Sequence, residues 1–175
     1  MDSSVRIGFA IAIAACSWAI AGMAQQRPSD AARETVVFDE QFRDWRARCV
    51  SASAGAGTDC YARPDRPTPG IAVLLVPRNA AFDLAVISPD VAERLTGASI
   101  QIDRGHMLEA RPCEASLCAF RAERVPDLEP ALRLGRTALL RVTRADKPTL
   151  EFELSLSGVG AALDRVAGAR QMRRP

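Results

Sequence analysis

The fold is decided by the stretch LEFELSL, residues 150–156, which has the most regular alternation in the chain. Its leucines and Phe152 occupy every second position, and Glu151, Glu153 and Ser155 lie between them. Because successive side chains of a β-strand point to opposite faces, this pattern predicts a strand with an apolar inner face and a polar outer face. One-sided alternation of this kind is typical of antiparallel sheets.

Segments elsewhere in the chain have similar strand patterns. Residues 136–144 place Ala138, Leu140 and Val142 on one side of a strand. Residues 103–105 (DRG) form a predicted hairpin turn, with the glycine where a positive φ is needed. The further predicted strands are residues 45–49, a return strand from Cys60, residues 71–76, 82–87, 98–103 and 106–111, and a strand over residues 118–122.

Two helices complete the predicted elements. Residues 128–134 form a short helix that Asp127 caps and Gly135 ends. Residues 158–169 form a C-terminal amphipathic helix, whose apolar residues recur at helical spacing: Val159, Ala162, Leu163 and Val166. The sequence therefore predicts a mainly β domain, an antiparallel sandwich or barrel-like fold of about eight or nine short strands with a C-terminal helix.

The cysteines predict two disulfides. Four follow the first 24 residues, namely Cys49, Cys60, Cys113 and Cys118, and an even number in an exported chain is typical of paired cysteines. Three connectivities are possible, and local pairing of Cys49 with Cys60 and of Cys113 with Cys118 is favoured because each pair flanks a turn. A four-cysteine zinc site is the alternative, but the spacings are loose for zinc and no histidine lies near.

The N-terminus has the three parts of a signal peptide. Arg6 gives a charged start, residues 7–21 are almost all apolar, and the small residues Gly22 and Ala24 suit signal peptidase. Residues 1–24 are therefore the predicted signal peptide. The simpler alternatives to a cleaved signal peptide are an uncleaved membrane anchor and a buried N-terminal helix. A lipoprotein processing pattern that ends at Cys16 also makes this cysteine a candidate for lipidation.

Cleavage defines the remaining organisation. Removing 24 of the 175 residues leaves 151, enough for one domain with its own core. Residues 25–35 are a predicted disordered lead-in, residues 36–170 a single β domain, and residues 171–175 a basic tail. No transmembrane segment is predicted after signal cleavage. The tail could contact anionic lipid, although a frayed end is the simpler interpretation.

Charge argues against nucleic acid as a partner. The 23 basic and 21 acidic residues give a formal net charge of only +2, and both signs are spread along the chain. Lys147 is the only lysine.

Six motifs follow one another along the chain: residues 44–49 (DWRARC), Cys60, residues 97–105 (GASIQIDRG), 113–119 (CEASLCA), 132–142 (LRLGRTALLRV) and 155–166 (SLSGVGAALDRV). Their order resembles the invasion-associated locus B family of exported proteobacterial envelope proteins. The resemblance implies export and a β-rich fold. It does not imply a particular enzymatic activity. The chain departs from the family at residues 88–95 (SPDVAERL), which begin either a helical turn with Glu93 in a capping position or a wide loop.

Candidate catalytic residues are few. His106 is the only histidine, and Asp103 near it in sequence could complete a Ser–His–Asp site, but no serine has a nucleophile-elbow context. Glu151 and Glu153 could form a glycosidase-like carboxylate pair, although one face of a strand is usually solvated. Trp45 is predicted to lie in the core. The sequence thus predicts no catalytic, cofactor-binding or metal-binding residues.

These observations favour a non-enzymatic protein of the periplasm or outer envelope, or a secreted one. It would act by binding a protein or an envelope surface, and its partner is not identified by the sequence. The alternatives are a surface-exposed virulence or adhesion accessory factor and a hydrolase-like enzyme that uses His106.

The N-terminal pattern predicts export with cleavage after Ala24. Mass spectrometry of the mature protein should place the N-terminus at Gln25. A diacylglycerol on Cys16 would indicate lipoprotein processing instead, and a cytoplasmic protein that retains Met1 would contradict export.

Overall fold

The computed structural model describes residues 35–51, 57–79, 81–110 and 113–171, which all fall in one compact unit. In chain order the elements are β1 (Thr35–Phe42), β2 (Trp45–Ser51), β3 (Thr58–Pro64), β4 (Ala72–Arg78), β5 (Ala81–Ile87), β6 (Leu95–Ile102), β7 (Met107–Ala110), β8 (Cys113–Glu114), β9 (Leu117–Phe120), α1 (Leu128–Leu134), β10 (Thr137–Arg144), β11 (Leu150–Ser155) and α2 (Val159–Gln171). The predicted signal peptide with Cys16, the lead-in up to residue 34 and the tail from residue 172 lie outside the described residues.

The strands form two antiparallel sheets, which confirms the predicted fold class. The larger sheet has the order β1-β2-β3-β4-β5-β9-β8, and the smaller has the order β11-β10-β6-β7. The strands beyond the predicted eight or nine are β1 and β8. β1 is an edge strand whose side chains are mostly exposed, so it lacks the apolar alternation that marks a core strand, and β8 has only two residues.

One apolar core takes side chains from both sheets and both helices. Trp45 and Phe120 are its largest fully buried members. The inward residues of β10 and the predicted apolar face of α2 are buried as expected, and α2 packs on β2 and β3. Burial of each large apolar side chain contributes about 1.5–3 kcal/mol, so the alternation of β10 and the helical spacing of α2 together fix how these elements face the core. Within the described ranges, no helix is both long and apolar enough to cross a bilayer.

α1 has the predicted bounds, but the residues at its ends act differently from the prediction. Asp127 occupies the predicted N-cap position, and its carbonyl accepts from the Ala131 N–H at 3.0 Å, but its side chain forms no hydrogen bond to the helix; its φ of −81° and ψ of −5° already have helical values. Gly135 ends the helix with extended backbone. A Cβ there would lie 2.5 Å from Cγ2 of Ile102, so close packing is what requires glycine at this position.

The turn between β6 and β7 also departs from the prediction. The positive φ, 50°, falls on Asp103 and not on Gly105. The Asp103 carboxylate accepts hydrogen bonds from the backbone N–H groups of Thr137 (2.9 Å) and Arg136 (3.1 Å), which offset the strain of its conformation. These bonds hold the pKa of Asp103 below its ordinary value, with the Thr137 bond the largest cause.

Residues 88–94 form a loop, the second of the two predicted alternatives. Both ends of this loop are held by the turn of the β8–β9 hairpin. The Ser88 N–H donates to the Ser116 carbonyl (2.8 Å), and the Leu95 N–H donates to the Ala115 carbonyl (2.8 Å). Within the loop, the Ala92 N–H donates to the Asp90 carboxylate.

The disulfides join Cys49 to Cys60 and Cys113 to Cys118, which confirms the predicted local pairing. Each bridge joins residues that lie directly opposite one another in an antiparallel pair, the first in β2–β3 and the second in β8–β9. The second bridge therefore closes the hairpin whose turn holds the loop at residues 88–94.

Removal of the second bridge should lower stability without removing the sheets. The Cys113→Ser, Cys118→Ser double variant should lose about 2 kcal/mol, because the bridge closes a loop of only a few residues. Its Tm should fall by about 5–10 °C while the β signal in circular dichroism is retained. Loss of that signal would show that the bridge is required for folding.

Candidate binding groove

The free edge of β11 is the starting point of the candidate site. β11 pairs with β10 on one side only. The Leu156 N–H just beyond the strand donates to the Arg136 carbonyl (2.9 Å). Because antiparallel pairs alternate between bonded and non-bonded positions, Leu154 and Phe152 direct their backbone groups toward β10. The backbone N–H and C=O groups of Glu151, Glu153 and Ser155 consequently point away from β10.

One end of this edge is covered by the turn between β1 and β2. The Trp45 Nε1–H donates to the Ser155 carbonyl at 2.7 Å, and the Asp44 N–H donates to the Ser157 carbonyl at 3.2 Å. The Ser155 hydroxyl donates to the Asp44 carboxylate at 2.6 Å. These contacts confirm the outward direction of the Ser155 carbonyl, and they leave the backbone groups of Glu151 and Glu153 open.

A groove of about 650 Å³ lies along this open part of the edge. One wall is β11, from Glu151 to Ser155, and the other is the loop after β3, from Pro64 to Pro69. Phe152 is half-buried at the β11 wall. Pro64, Pro67 and Pro69 have no N–H, so only alternate positions of this wall, such as Arg66 and Thr68, retain a backbone donor.

The loop wall is held in place by Asp65. Its carboxylate accepts hydrogen bonds from Arg46 (Nη2–Oδ1 2.9 Å) and Gln41 (Nε2–Oδ2 2.9 Å), and its N–H donates to the Asp44 carbonyl (2.8 Å). Arg46 also pairs with Asp39 at 3.0 Å. The two carboxylates, with Asp39 the larger cause, raise the pKa of Arg46. The groove thus has two fixed walls.

Carboxylates dominate the charge of the groove. Asp44, Glu151 and Glu153 line it, against Arg66 alone among the basic residues. Glu151 pairs with Arg141 at 2.7 Å. Within the described part of the chain, Glu153 and Arg66 form no ion pair.

The other end of β11 is fixed by a buried ion-pair network around Glu93, whose side chain is 6% exposed. Its carboxylate accepts from the Ser88 hydroxyl (2.6 Å), Lys147 Nζ (3.0 Å) and Arg144 Nη1 (3.1 Å). Arg144 also donates to the Pro148 carbonyl, two residues before β11 begins. The network therefore joins the loop at residues 88–94 to the β10–β11 connection.

The sequence-predicted candidates do not converge on a catalytic centre. His106 is exposed beside the β6–β7 turn, and the Asp103 carboxylate is engaged by the start of β10. Glu151 and Glu153 are exposed, as predicted, and the structure adds that their backbone groups face the groove. Trp45 is 1% exposed and lies in the core, as predicted. In the portion that the structure describes, no group of three or more histidine, cysteine or carboxylate residues is arranged to hold a metal ion.

Sequence reasoning missed two of the contributors. The charged partners of Glu93, Arg144 and Lys147, are distant in sequence, and no local pattern indicated them; Ser88 is the one partner that is close in sequence. The loop wall contains three prolines at residues 64–69, but its position opposite β11 follows from the order of the strands and could not be deduced from residue spacing.

These features define a disulfide-bridged, two-sheet β protein with a groove at an open sheet edge. The model of the Invasion associated locus B (IalB) protein family matches residues 45–167, and the chain belongs to this family. The chain is also similar to the crystal structure of invasion associated protein b from Bartonella henselae, with 19% identity and a TM-score of 0.53. That match covers 77% of this chain and 98% of the Bartonella chain, and it supports the fold alone. No curated protein matches the chain.

The Glu93 network predicts a specific loss of stability in acid. Its partners, first Ser88 and then Lys147, lower the pKa of Glu93 from 4.5 to about 2. A carboxyl with a lowered pKa in the folded state stabilises above its unfolded pKa, and this contribution is lost as the pH falls toward the folded value. Glu93→Gln should therefore be less stable than the wild type at neutral pH, and the difference should shrink between pH 4.5 and about 2.

Urea unfolding across this pH range measures the difference. Glu123→Gln is the matched control, because Glu123 is exposed and forms no hydrogen bond or ion pair within the described ranges. A difference between wild type and Glu93→Gln that stays constant down to pH 2 would contradict the prediction.

Proposed function

We propose that this protein is an exported, non-enzymatic protein of the bacterial envelope, and that it binds a protein partner through the groove beside β11. The observation that carries the proposal is the pair of open backbone positions at Glu151 and Glu153, which face a groove with two fixed walls. Backbone groups at a sheet edge bind readily to another polypeptide, which is why most proteins cover or shorten such edges.

Two features support export. The N-terminal residues have the order of a signal peptide, and the two disulfides are typical of an oxidising compartment such as the periplasm. Membership of the invasion associated locus B family is consistent with an envelope protein. We propose the periplasm or the outer envelope as its location.

A non-enzymatic role agrees with where the titratable groups lie. A general base must be within hydrogen-bond reach of its orienting group and of the proton that it removes. His106 is exposed on a short hairpin, and the Asp103 carboxylate is committed to two backbone N–H groups. The groove itself is lined by carboxylates, an arginine and prolines, a set suited to recognition.

Site-specific photo-crosslinking in the native bacterium tests this function. A photoreactive amino acid at Arg66, which is exposed in the loop wall, should give a discrete protein adduct. The same amino acid at Arg104, exposed outside the groove, should not. The adduct should weaken when Glu153→Lys is added, because this change reverses a charge inside the groove. Adducts of equal yield at both positions, or none at Arg66, would contradict the proposal.

A further inference from the structure

We infer that the groove binds an extended segment of another polypeptide with basic side chains at alternate positions, which adds to β11 as a new strand. This inference rests on the proposed function and names the chemistry of the partner. It follows from the backbone geometry of the edge, the charge of the groove and the two faces of β11.

The backbone geometry favours an extended chain over a compact ligand. Glu151 and Glu153 are two residues apart and direct N–H and C=O groups into the groove, which is the repeat that a pairing strand satisfies. Beyond them, Trp45 and Asp44 already donate to the next outward carbonyls, those of Ser155 and Ser157. An added strand would therefore continue a row of hydrogen bonds that the protein itself begins.

The charge of the groove selects a basic segment. Glu153 is exposed without an ion pair among the described residues, and Asp44 and Glu151 line the same groove. Opposite charges at directly opposed strand positions stabilise pairing, whereas like charges oppose it. A second copy of β11, paired antiparallel about Phe152, would place Glu151 opposite Glu153, so self-pairing of this edge is disfavoured.

The two faces of β11 set the order of side chains in the segment. Glu151 and Glu153 lie on the exposed face, whereas Leu154 is buried and Phe152 half-buried on the other. A paired strand has the same alternation as its neighbour. Its basic side chains therefore lie on the face of the two glutamates, where Glu153 offers the unpaired carboxylate and Glu151 is shared with Arg141, and the residues between them are apolar and contact the Phe152 side.

Selection from a phage-displayed library of short random peptides on the purified protein tests the inference. The enriched peptides should carry Lys or Arg at alternate positions with apolar residues between them. Binding of the best synthetic peptide, measured by fluorescence anisotropy, should weaken about fivefold or more with Glu153→Lys. The control Glu123→Lys makes the same change in net charge outside the groove and should bind as the wild type does.

The backbone contribution is tested separately. Glu153→Pro removes an outward N–H together with the carboxylate while leaving the hydrogen bonds to β10, so it is compared with Glu153→Ala, which removes the carboxylate alone; prolines are tolerated on edge strands, so the fold should be retained. Glu153→Pro should bind about fivefold or more weakly than Glu153→Ala, and N-methylation of alternate amides in the peptide should weaken binding to the wild type by a similar factor. Circular dichroism and the Tm of each variant verify that the groove is intact.

Several results would overturn the inference. These are no enrichment, enrichment of acidic peptides, or binding that neither Glu153→Lys nor N-methylation changes. Concentration-dependent dimers of the wild type that Glu153→Pro abolishes would assign the edge to a second copy, and peptide binding seen only after removal of residues 172–175 would assign it to the chain's own end. An Arg66 adduct in cells without enrichment of basic peptides would leave the proposed function standing and reject this inference alone.

Discussion

The hydrogen bond from Trp45 Nε1–H to the Ser155 carbonyl joins the two sheets. The indole is 1% exposed, and a buried indole N–H without an acceptor would be costly. Ser155 belongs to an edge strand, so its outward carbonyl has no strand partner. The indole N–H gains an acceptor and the Ser155 carbonyl gains a donor. The hydrogen bond thereby places the start of β2 at the end of β11. The contact covers the edge of β11 only at Ser155, so the backbone groups of Glu151 and Glu153 remain facing the groove.

β11 is thus fixed at both ends by different chemistry. Trp45 holds one end through the apolar core, and the buried Glu93 carboxylate holds the other through Arg144 and the half-exposed Lys147. Desolvation offsets much of the attraction in a buried ion pair, but removal of one partner leaves an uncompensated charge and is costly. The loop at residues 88–94 therefore contacts the β10–β11 connection, at the end of β11 remote from Trp45. The position of β11 depends on that segment, but the walls of the groove do not include it.

Much of the fold could be predicted because the decisive signals are local. The alternation of residues 150–156, the helical spacing of α2 and the short cysteine separations each reflect a single element or hairpin. The contacts of Asp103 with the start of β10 and of Glu93 with Arg144 could not be predicted, because these partners lie more than thirty residues away and depend on strand order. For the same reason, Glu151 and Glu153 were identified as a solvated pair, whereas their relation to the proline-marked loop required the sheet topology.

The charges on β11 resolve a conflict that any open sheet edge creates. An exposed edge that is flat and apolar invites pairing between copies of the same chain. Outward glutamates oppose that pairing, because an antiparallel copy would bring like charges together. In the proposed binding mode the same carboxylates favour a strand of opposite charge, so one feature would both oppose self-association and set partner choice. Protection of the β11 edge against self-association requires only the glutamates and does not require a groove beside the strand. The fixed loop wall, anchored by Asp65 to Arg46, keeps space open next to the strand, and this supports a role in recognition.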